Sequence, residues 1–364
     1  MSVKHSICPS CSVGCGINLI TVDGVAVGTY PYKRHPVNQG KNCLNGRKSF
    51  ELVNESRIND PLIKNGVLKK SNWDEALNLV ASKINDYAPE DIGIIGSGNC
   101  TNEDSRALKE FADSIGVKNI GYCAGNLGFN FETASLDDLE NSKFILVIGD
   151  VIKENPLMGR RLILAREKGA ELVTADQPGK TLTGINSDDY IQINSTSEFL
   201  DSIDPEILKK LTESSTIVAN KLSDKSDFEK LHKISEDSKS NLILVMEDCN
   251  TRGTMESLKP LNEDEINDLI GNIKLLYVVG ANPGEYADSI KNIEFLVTQG
   301  SSFNETVLMS DVVLPASCWA EKTGSFTNTT GMTQNFSKVV EASENVMEDQ
   351  EIIEKLKNRI LKDK

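Results

Sequence analysis

Apolar and polar residues alternate near the start of the chain, and the period then changes. Over residues 16–30, apolar side chains flank Asp23-Gly24 on both sides at every second position. An Asp-Gly pair between two alternating runs predicts a tight β-hairpin. From Ser71 the spacing turns helical. Ala76, Leu77, Leu79, Val80 and Ile84 predict an amphipathic helix, and Ser71-Asn72-Trp73-Asp74 resembles a capping box with Asp in place of Glu. A short apolar run at 92–98 predicts a buried strand, followed by a helix through Ala107, Leu108, Phe111 and Ala112. The same strand-then-helix unit recurs at 144–149 with a helix over 160–169, and another strand follows at 171–176. Further strands are expected at 241–246, 275–280, 295–299 and 311–315. Strands alternating with helices predict parallel sheets covered on both faces. Residues 196–240 are poor in apolar periodicity and rich in Ser, Asp and Lys, which reads as short surface helices and a connector. The chain closes on a helix over 349–364 with Ile352, Ile353, Leu356 and Ile360 on one face.

Composition narrows the function. The 364 residues are 39% hydrophobic and 26% charged, as in soluble globular proteins, with a net charge of −15. No basic run offers a phosphate-binding footprint, which argues against nucleic acid as a partner. No apolar stretch reaches the ~20 residues that span a bilayer. The N-terminus lacks the apolar core of a signal peptide, so a cytoplasmic protein is expected.

Cysteine spacing changes the picture most. Cys8, Cys11 and Cys15 form a C-x2-C-x3-C run, and Cys43 follows after a loop punctuated by Pro and Gly. In a reducing compartment, clustered cysteines read as metal ligands before disulfides. Three thiolates on one tight loop plus a fourth suit a [4Fe-4S] cluster. A zinc site would more commonly show two separated C-x2-C knuckles. The scattered Cys100, Cys123, Cys249 and Cys318 read as small buried hydrophobes. Several strands end in short loops, at 96–99, 149–150, 176–181 and 280–284. In open α/β sheets, ligands sit at such carboxyl ends, where loop amides and helix N-termini face phosphates and polar rings. Beside an iron–sulfur motif they suggest a large phosphorylated cofactor. The stretch 305–329 runs from a strand ending in Pro315 through Glu321 to Gly324-Ser325-Phe326-Thr327-Asn328.

With the four cysteines, residues 35–41, 61–64, 165–170 and 311–329 make the chain resemble the molybdopterin oxidoreductase family. The nearer likeness is to the catalytic subunits of archaeal formate dehydrogenases, and the more distant one to the B subunit of formylmethanofuran dehydrogenase. The resemblance implies an α/β fold in three parts. They are a small β-rich [4Fe-4S] domain at 1–57 packed with 310–364, a Rossmann-like parallel-sheet domain from 58–125 and 240–309, and a second such domain at 126–239. It implies that Cys8, Cys11, Cys15 and Cys43 ligate the cluster. It also implies a Mo- or W-bis(molybdopterin guanine dinucleotide) held by Arg47, Gly149, Asn155, Asp176, Gly280, Asn282, Glu321 and Asn328. The expected activity moves two electrons at the metal and passes them singly through the cluster to a flavin or ferredoxin type of electron-transfer subunit. The chain departs from the formate-oxidising pattern in three ways. An ungapped match puts Gly125, Leu127 and Gly128 where an Arg, a metal-ligand Cys or selenocysteine, and a His are expected, and Cys123 takes the ligand role only if the loop shifts. Asn45 stands in place of a Lys two residues after the fourth cysteine, with Arg47 and Lys48 nearby. The chain ends where the family's C-terminal barrel would begin, so either a separate subunit that supplies it or an open, weakly held site is expected. The alternative to an active enzyme subunit is a shortened, non-catalytic paralogue that carries electrons or scaffolds a complex.

Overall fold

Three antiparallel strands begin the structure, which is a computed structural model describing residues 1–124, 131–220, 222 and 225–362. They are β1 (Ser2–Ile7), β2 (Gly16–Val22) and β3 (Val25–Pro31). Asp23 and Gly24 take φ of 50° and 85°. The expected hairpin turn therefore forms in the left-handed conformation that matches strand twist, with Gly at the position it tolerates best. Two short helices, α1 (Leu44–Lys48) and α2 (Glu51–Asn54), pack on β3.

The chain then lays down the two flanks of an eight-stranded sheet. The hairpin β4 (Leu62–Asn65) and β5 (Val67–Lys70) forms its antiparallel edge. Helix α3 (Trp73–Asp86), strand β6 (Ile92–Ser97), helix α4 (Asn102–Ile115) and strand β7 (Asn119–Cys123) follow. The cap of α3 is Asn72 and not Ser71. The Asn72 side chain accepts the Glu75 amide at 2.9 Å, while the Ser71 hydroxyl reaches the Glu75 carboxylate. Either side chain can satisfy a free first-turn N–H, and the extended backbone at Asn72 decides which one does.

A second, wholly parallel sheet comes next. It contains β8 (Phe144–Ile148), helix α5 (Pro156–Glu167), β9 (Glu171–Asp176), β10 (Asp189–Gln192), helices α6 (Thr196–Asp201) and α7 (Pro205–Lys210), β11 (Ser215–Ala219), helix α8 (Lys225–Ser238) and β12 (Asn241–Leu244). Its order is β10-β9-β8-β11-β12. Two expectations need correction here. Residues 196–240 are not all surface helix and connector: β11 is an inner strand, buried at all five positions and paired with β8 and β12. Its polar start disguises it, since Ser215 and Thr216 are fully buried and the Thr216 hydroxyl is paired with that of Ser142 at 2.6 Å. The return to the first sheet comes after β12, and not at residue 240, because β12 pairs with β11.

The chain then completes the first sheet with β13 (Pro260–Leu261), β14 (Leu275–Val279), β15 (Phe295–Gly300) and β16 (Val312–Pro315), in the order β13-β7-β6-β14-β15-β16-β4-β5. A hairpin of β17 (Gly324–Thr327) and β18 (Thr333–Phe336) lies against β1, and helix α9 (Asp349–Lys362) packs on α3 and α4. Residues 310–364 are thus divided: the hairpin joins the N-terminal sheet, whereas β16 and α9 belong to the first α/β unit. Among the described residues no helix is long and apolar enough to cross a membrane.

Candidate cluster and cofactor site

The loop between β1 and β2 is closed by the Cys8 amide donating to the Cys15 carbonyl at 2.8 Å. Gly14 within it has φ of 73°, and a Cβ there would stand 2.2 Å from Gln334 Oε1 and 2.7 Å from Asn328 Cβ. Only glycine lets the loop press onto the β17–β18 hairpin this closely. Further bonds hold the loop from both sides. The Ser12 hydroxyl donates to the Met246 carbonyl (2.6 Å) and accepts its amide (2.9 Å), and the Thr329 amide donates to the Ser12 carbonyl (2.7 Å). Cys43 caps α1, and its sulfur accepts the Gly46 amide at 3.3 Å.

This geometry brings Cys8, Cys11, Cys15 and Cys43 around one cavity, together with Asn42 and Asn155. Burial pushes the Cys11 thiol up to about 12, with the Cys8 charge adding to it, and raises Cys8 and Cys15 as well. Thiols so placed stay protonated until a positively charged group takes them as thiolates. The Asn42 amide is buried beside them with neither its nitrogen nor its oxygen partnered. Among the described residues, no three His, Cys, Asp or Glu side chains are placed to hold one metal ion. An all-sulfur donor set spread around a cavity fits a bulky cluster better than a single zinc. Asn155, expected at the pterin, lines this cavity. Its side chain lies near enough to the Cys11 sulfur to lower that thiol slightly, and its Oδ1 accepts from Asn220 at 3.3 Å.

A second opening lies at the carboxyl ends of the first sheet. It is a cleft of about 280 Å³ lined by Asn99, Cys100, Gly280, Ser302, Ser317 and Lys322, among others. The strand order reverses between β6 and β14, and ligands of open α/β sheets bind at such a switch point. Pro9 and Leu52 form part of its wall, while Cys8 and Ser10, on either side of Pro9, line the cysteine cavity. One loop therefore separates the two spaces. The Ser317 hydroxyl is buried in the cleft lining without a partner. Gly280, at φ of 67°, would bring a Cβ within 3.1 Å of the Cys100 sulfur.

The remaining expected residues divide. Asp176 is buried at the end of β9; one carboxylate oxygen accepts the Gln177 amide (2.8 Å) and the other has no partner. Gly149 makes the turn after β8 at φ of 99°. Both stand at the carboxyl ends of the second sheet, near its own switch between β8 and β11. Asn282 is engaged with Thr306 and Glu305. Glu321 pairs with Arg57 at 2.5 Å and accepts the Cys318 amide. Asn328 donates to the Val13 carbonyl and accepts from Thr330 and Met332, so it braces the cysteine loop. Arg47 lies exposed on α1 and does not line the cavity, although Gly46 just before it does. Cys123 ends β7 in an apolar cluster, where burial pushes its thiol up to about 12 and the nearby Tyr286 hydroxyl offsets only part of that. Gly125, Leu127 and Gly128 lie outside the described residues.

Sequence reading passed over the polar groups beneath the cleft. Lys322 is buried between Asp104 (2.7 Å) and Asp349, and Asp349 also accepts from Gln299 at 2.7 Å. Asp104 was legible only as the third residue of the capping box that starts at Thr101. Asp248 bonds Asn99 at 2.7 Å, and burial, with the charge of Glu247 adding to it, raises its carboxyl to about 6.

Comparison with known proteins accounts for this layout. The family description "Molybdopterin oxidoreductase Fe4S4 domain" matches residues 1–55, and "Molybdopterin oxidoreductase" matches 57–359. The F420-dependent formate dehydrogenase 1 subunit alpha of Methanococcus maripaludis is 29% identical across 98% of this chain and 70% of its own length. The corresponding alpha subunit of Methanocaldococcus jannaschii gives the same three figures. The first of these alignments runs to 472 positions against a chain of 364, so that relative carries extra residues within the matched span. Formate dehydrogenase H of Escherichia coli is 28% identical over 53% of this chain and 30% of its own. Acetylene hydratase from Pelobacter acetylenicus has the same fold, with a TM-score of 0.71 at 15% identity over 98% of this chain and 69% of that one. The matched domains identify the cofactors as a [4Fe-4S] cluster and a molybdopterin. This chain belongs to the molybdopterin oxidoreductase family.

Proposed function

We propose that the chain is a cytoplasmic, formate-dehydrogenase-like redox subunit that passes electrons between a molybdenum- or tungsten-pterin site and its [4Fe-4S] cluster. The observation that carries the reading is the single loop, Cys8-Pro9-Ser10, with the cysteine cavity on one side and the strand-end cleft on the other. Electrons crossing from cleft to cluster need pass only that loop. Formate gives up two electrons and one proton to become carbon dioxide, and the metal-pterin group supplies that two-electron chemistry when bound. The protein's own part is to hold and tune. Asn99 and Lys322 line the first switch point, where Gly280 offers backbone room and Ser317 an unpartnered hydroxyl, and at the second Gly149 and an unpartnered Asp176 oxygen offer the same to an extended dinucleotide. None of the eight cysteines is in a disulfide, which suits a reducing compartment.

The second reading is an electron-carrying or scaffolding subunit without formate chemistry, and Leu127 and Gly128 favour it. Leucine offers no metal donor and glycine no transferable proton. One anaerobic preparation separates the two. Iron, molybdenum and tungsten are quantified, pterin is extracted, and formate-dependent reduction of a viologen dye is measured. Iron with pterin, metal and dye reduction is the expected result. Iron without pterin or dye reduction overturns the enzymatic reading in favour of the second. Stoichiometric zinc without iron overturns both. Cys43→Ala should lose iron, and unchanged iron would refute the ligand set.

A further inference from the structure

What the first 56 residues show to solvent differs from the rest of the molecule. They hold six Lys and Arg, all exposed, against three Asp and Glu, a net +3 in a chain whose remainder carries −18. Of the sixteen large apolar side chains exposed among the described residues, eight lie in this stretch. Val25, Val27 and Tyr30 on β3 and Leu44 on α1 are exposed by 53%, 47%, 45% and 67%. The Thr29 hydroxyl lies 2.8 Å from the Gly46 carbonyl and 2.6 Å from that of Arg47, which fastens β3 to α1. Arg47 and Lys48 stand exposed on the same helix. Exposed apolar side chains beside a net excess of basic charge, with Glu51 and Glu55 at α2 as the neighbouring acids, have the composition of a docking surface. Cys43 caps this helix, and the exposed Leu44 is the next residue.

We propose that the β3–α1 face docks an acidic one-electron carrier protein. The proposal rests on the reading that the four cysteines hold a cluster, and goes further by naming the face and the sign of the partner's charge. The step is simple in its balance: one electron leaves the reduced cluster and reduces the carrier by one, with no bond or proton exchanged. An acidic carrier is repelled by the −18 remainder and drawn to this basic patch, so the field orients it with its centre toward Cys43. A basic carrier would be drawn everywhere else.

The test is binding of an acidic [2Fe-2S] ferredoxin to the iron-loaded chain, measured by calorimetry. Affinity should fall about tenfold between about 20 mM and about 200 mM salt. The double variant Arg47→Glu/Lys48→Glu should weaken low-salt binding by about tenfold, with iron content and visible absorption unchanged. Glu236→Lys, on the far helix α8, should change it less than about twofold. Low-salt binding by the double variant equal to that of the unaltered chain overturns the face, as does tighter binding by the Glu236→Lys variant. The cluster reading fails separately. A chain that holds no iron when purified anaerobically, yet binds ferredoxin with the same charge dependence, would refute the cluster and uphold the face, whereas iron-loaded chain that binds no ferredoxin does the reverse.

Discussion

Asn155 shows how one side chain can serve two parts of the site. It terminates the short turn after β8, starts α5, and stands beside the Cys11 sulfur, within reach of a hydrogen bond once a cluster fills the cavity. Hydrogen bonds to cluster sulfurs favour the more negative, reduced state. Asn155→Ala should therefore lower the cluster's reduction potential by about 40 mV, the one-electron equivalent of about 1 kcal/mol, with iron content retained. An anaerobic titration followed by electron paramagnetic resonance checks it, and an unchanged or higher potential would refute the assignment. Asp248 gives a second residue-scale prediction. Its carboxyl is raised to about 6 by burial, so the folded chain holds that proton more tightly than the unfolded one. Stability from this group is then lost as pH rises from about 4 through about 6. Asp248→Asn should gain about 2 kcal/mol at pH 7.5 and nothing at pH 4, read from urea midpoints at the two pH values. Equal gains at both would sink the argument. Residues of this kind are hard to read in a sequence, because burial sets their chemistry. The four cysteines were legible as a group because their spacing is a local signal, and they line one cavity. Asn328 and Glu321 were legible as important but not as braces, since their partners, Val13 and Arg57, lie hundreds of residues away.

At the scale of elements, the charged group beneath the cleft joins four of them. Lys322 follows the turn after β16, Asp104 opens α4, Asp349 opens α9, and Gln299 closes β15. Burial alone would push the Lys322 amine down, and the two carboxylates overcome this and raise it. Removing the cation leaves two buried carboxylates facing each other, a loss of about 3–5 kcal/mol. Lys322→Met should cost that much near pH 7 and expose α9 to hydrogen exchange ahead of the parallel strands. Adding Asp104→Asn and Asp349→Asn should recover most of the loss. Uniform exchange across the whole chain would show that the triad does not latch α9. Periodicity revealed α9 and its buried Ile352, Ile353, Leu356 and Ile360, because a helix stripe is a local signal. It missed β11, because an inner strand that begins Ser-Thr carries no period, and its burial is decided by β8 and β12 on either side.

Across the whole molecule, the cysteine loop is where three parts meet. Ser12 bonds Met246 just past β12, Val13 and Ser12 receive bonds from Asn328 and Thr329 of the β17–β18 turn, and Pro9 reaches the first-sheet cleft. None of these links depends on long-range charge, so the net −15 does not weaken them. They do depend on the loop keeping its shape, and the raised Cys8, Cys11 and Cys15 thiols mean that the loop gains little electrostatic order without a metal centre. Metal binding to such a site is coupled to local folding. The two parallel sheets keep their own apolar cores, in which strands such as β6, β8, β11 and β14 are buried throughout. Stripping iron with a chelator and an oxidant should therefore leave far-ultraviolet circular dichroism nearly intact. It should also raise hydrogen exchange at 8–15, 43–48 and 328–334 and split one thermal transition into two. If the iron-free chain instead melts in one step at the original temperature, the loop is held by its hydrogen bonds alone. If the sheets unfold with it, the cluster is the keystone of the whole chain and not of the junction.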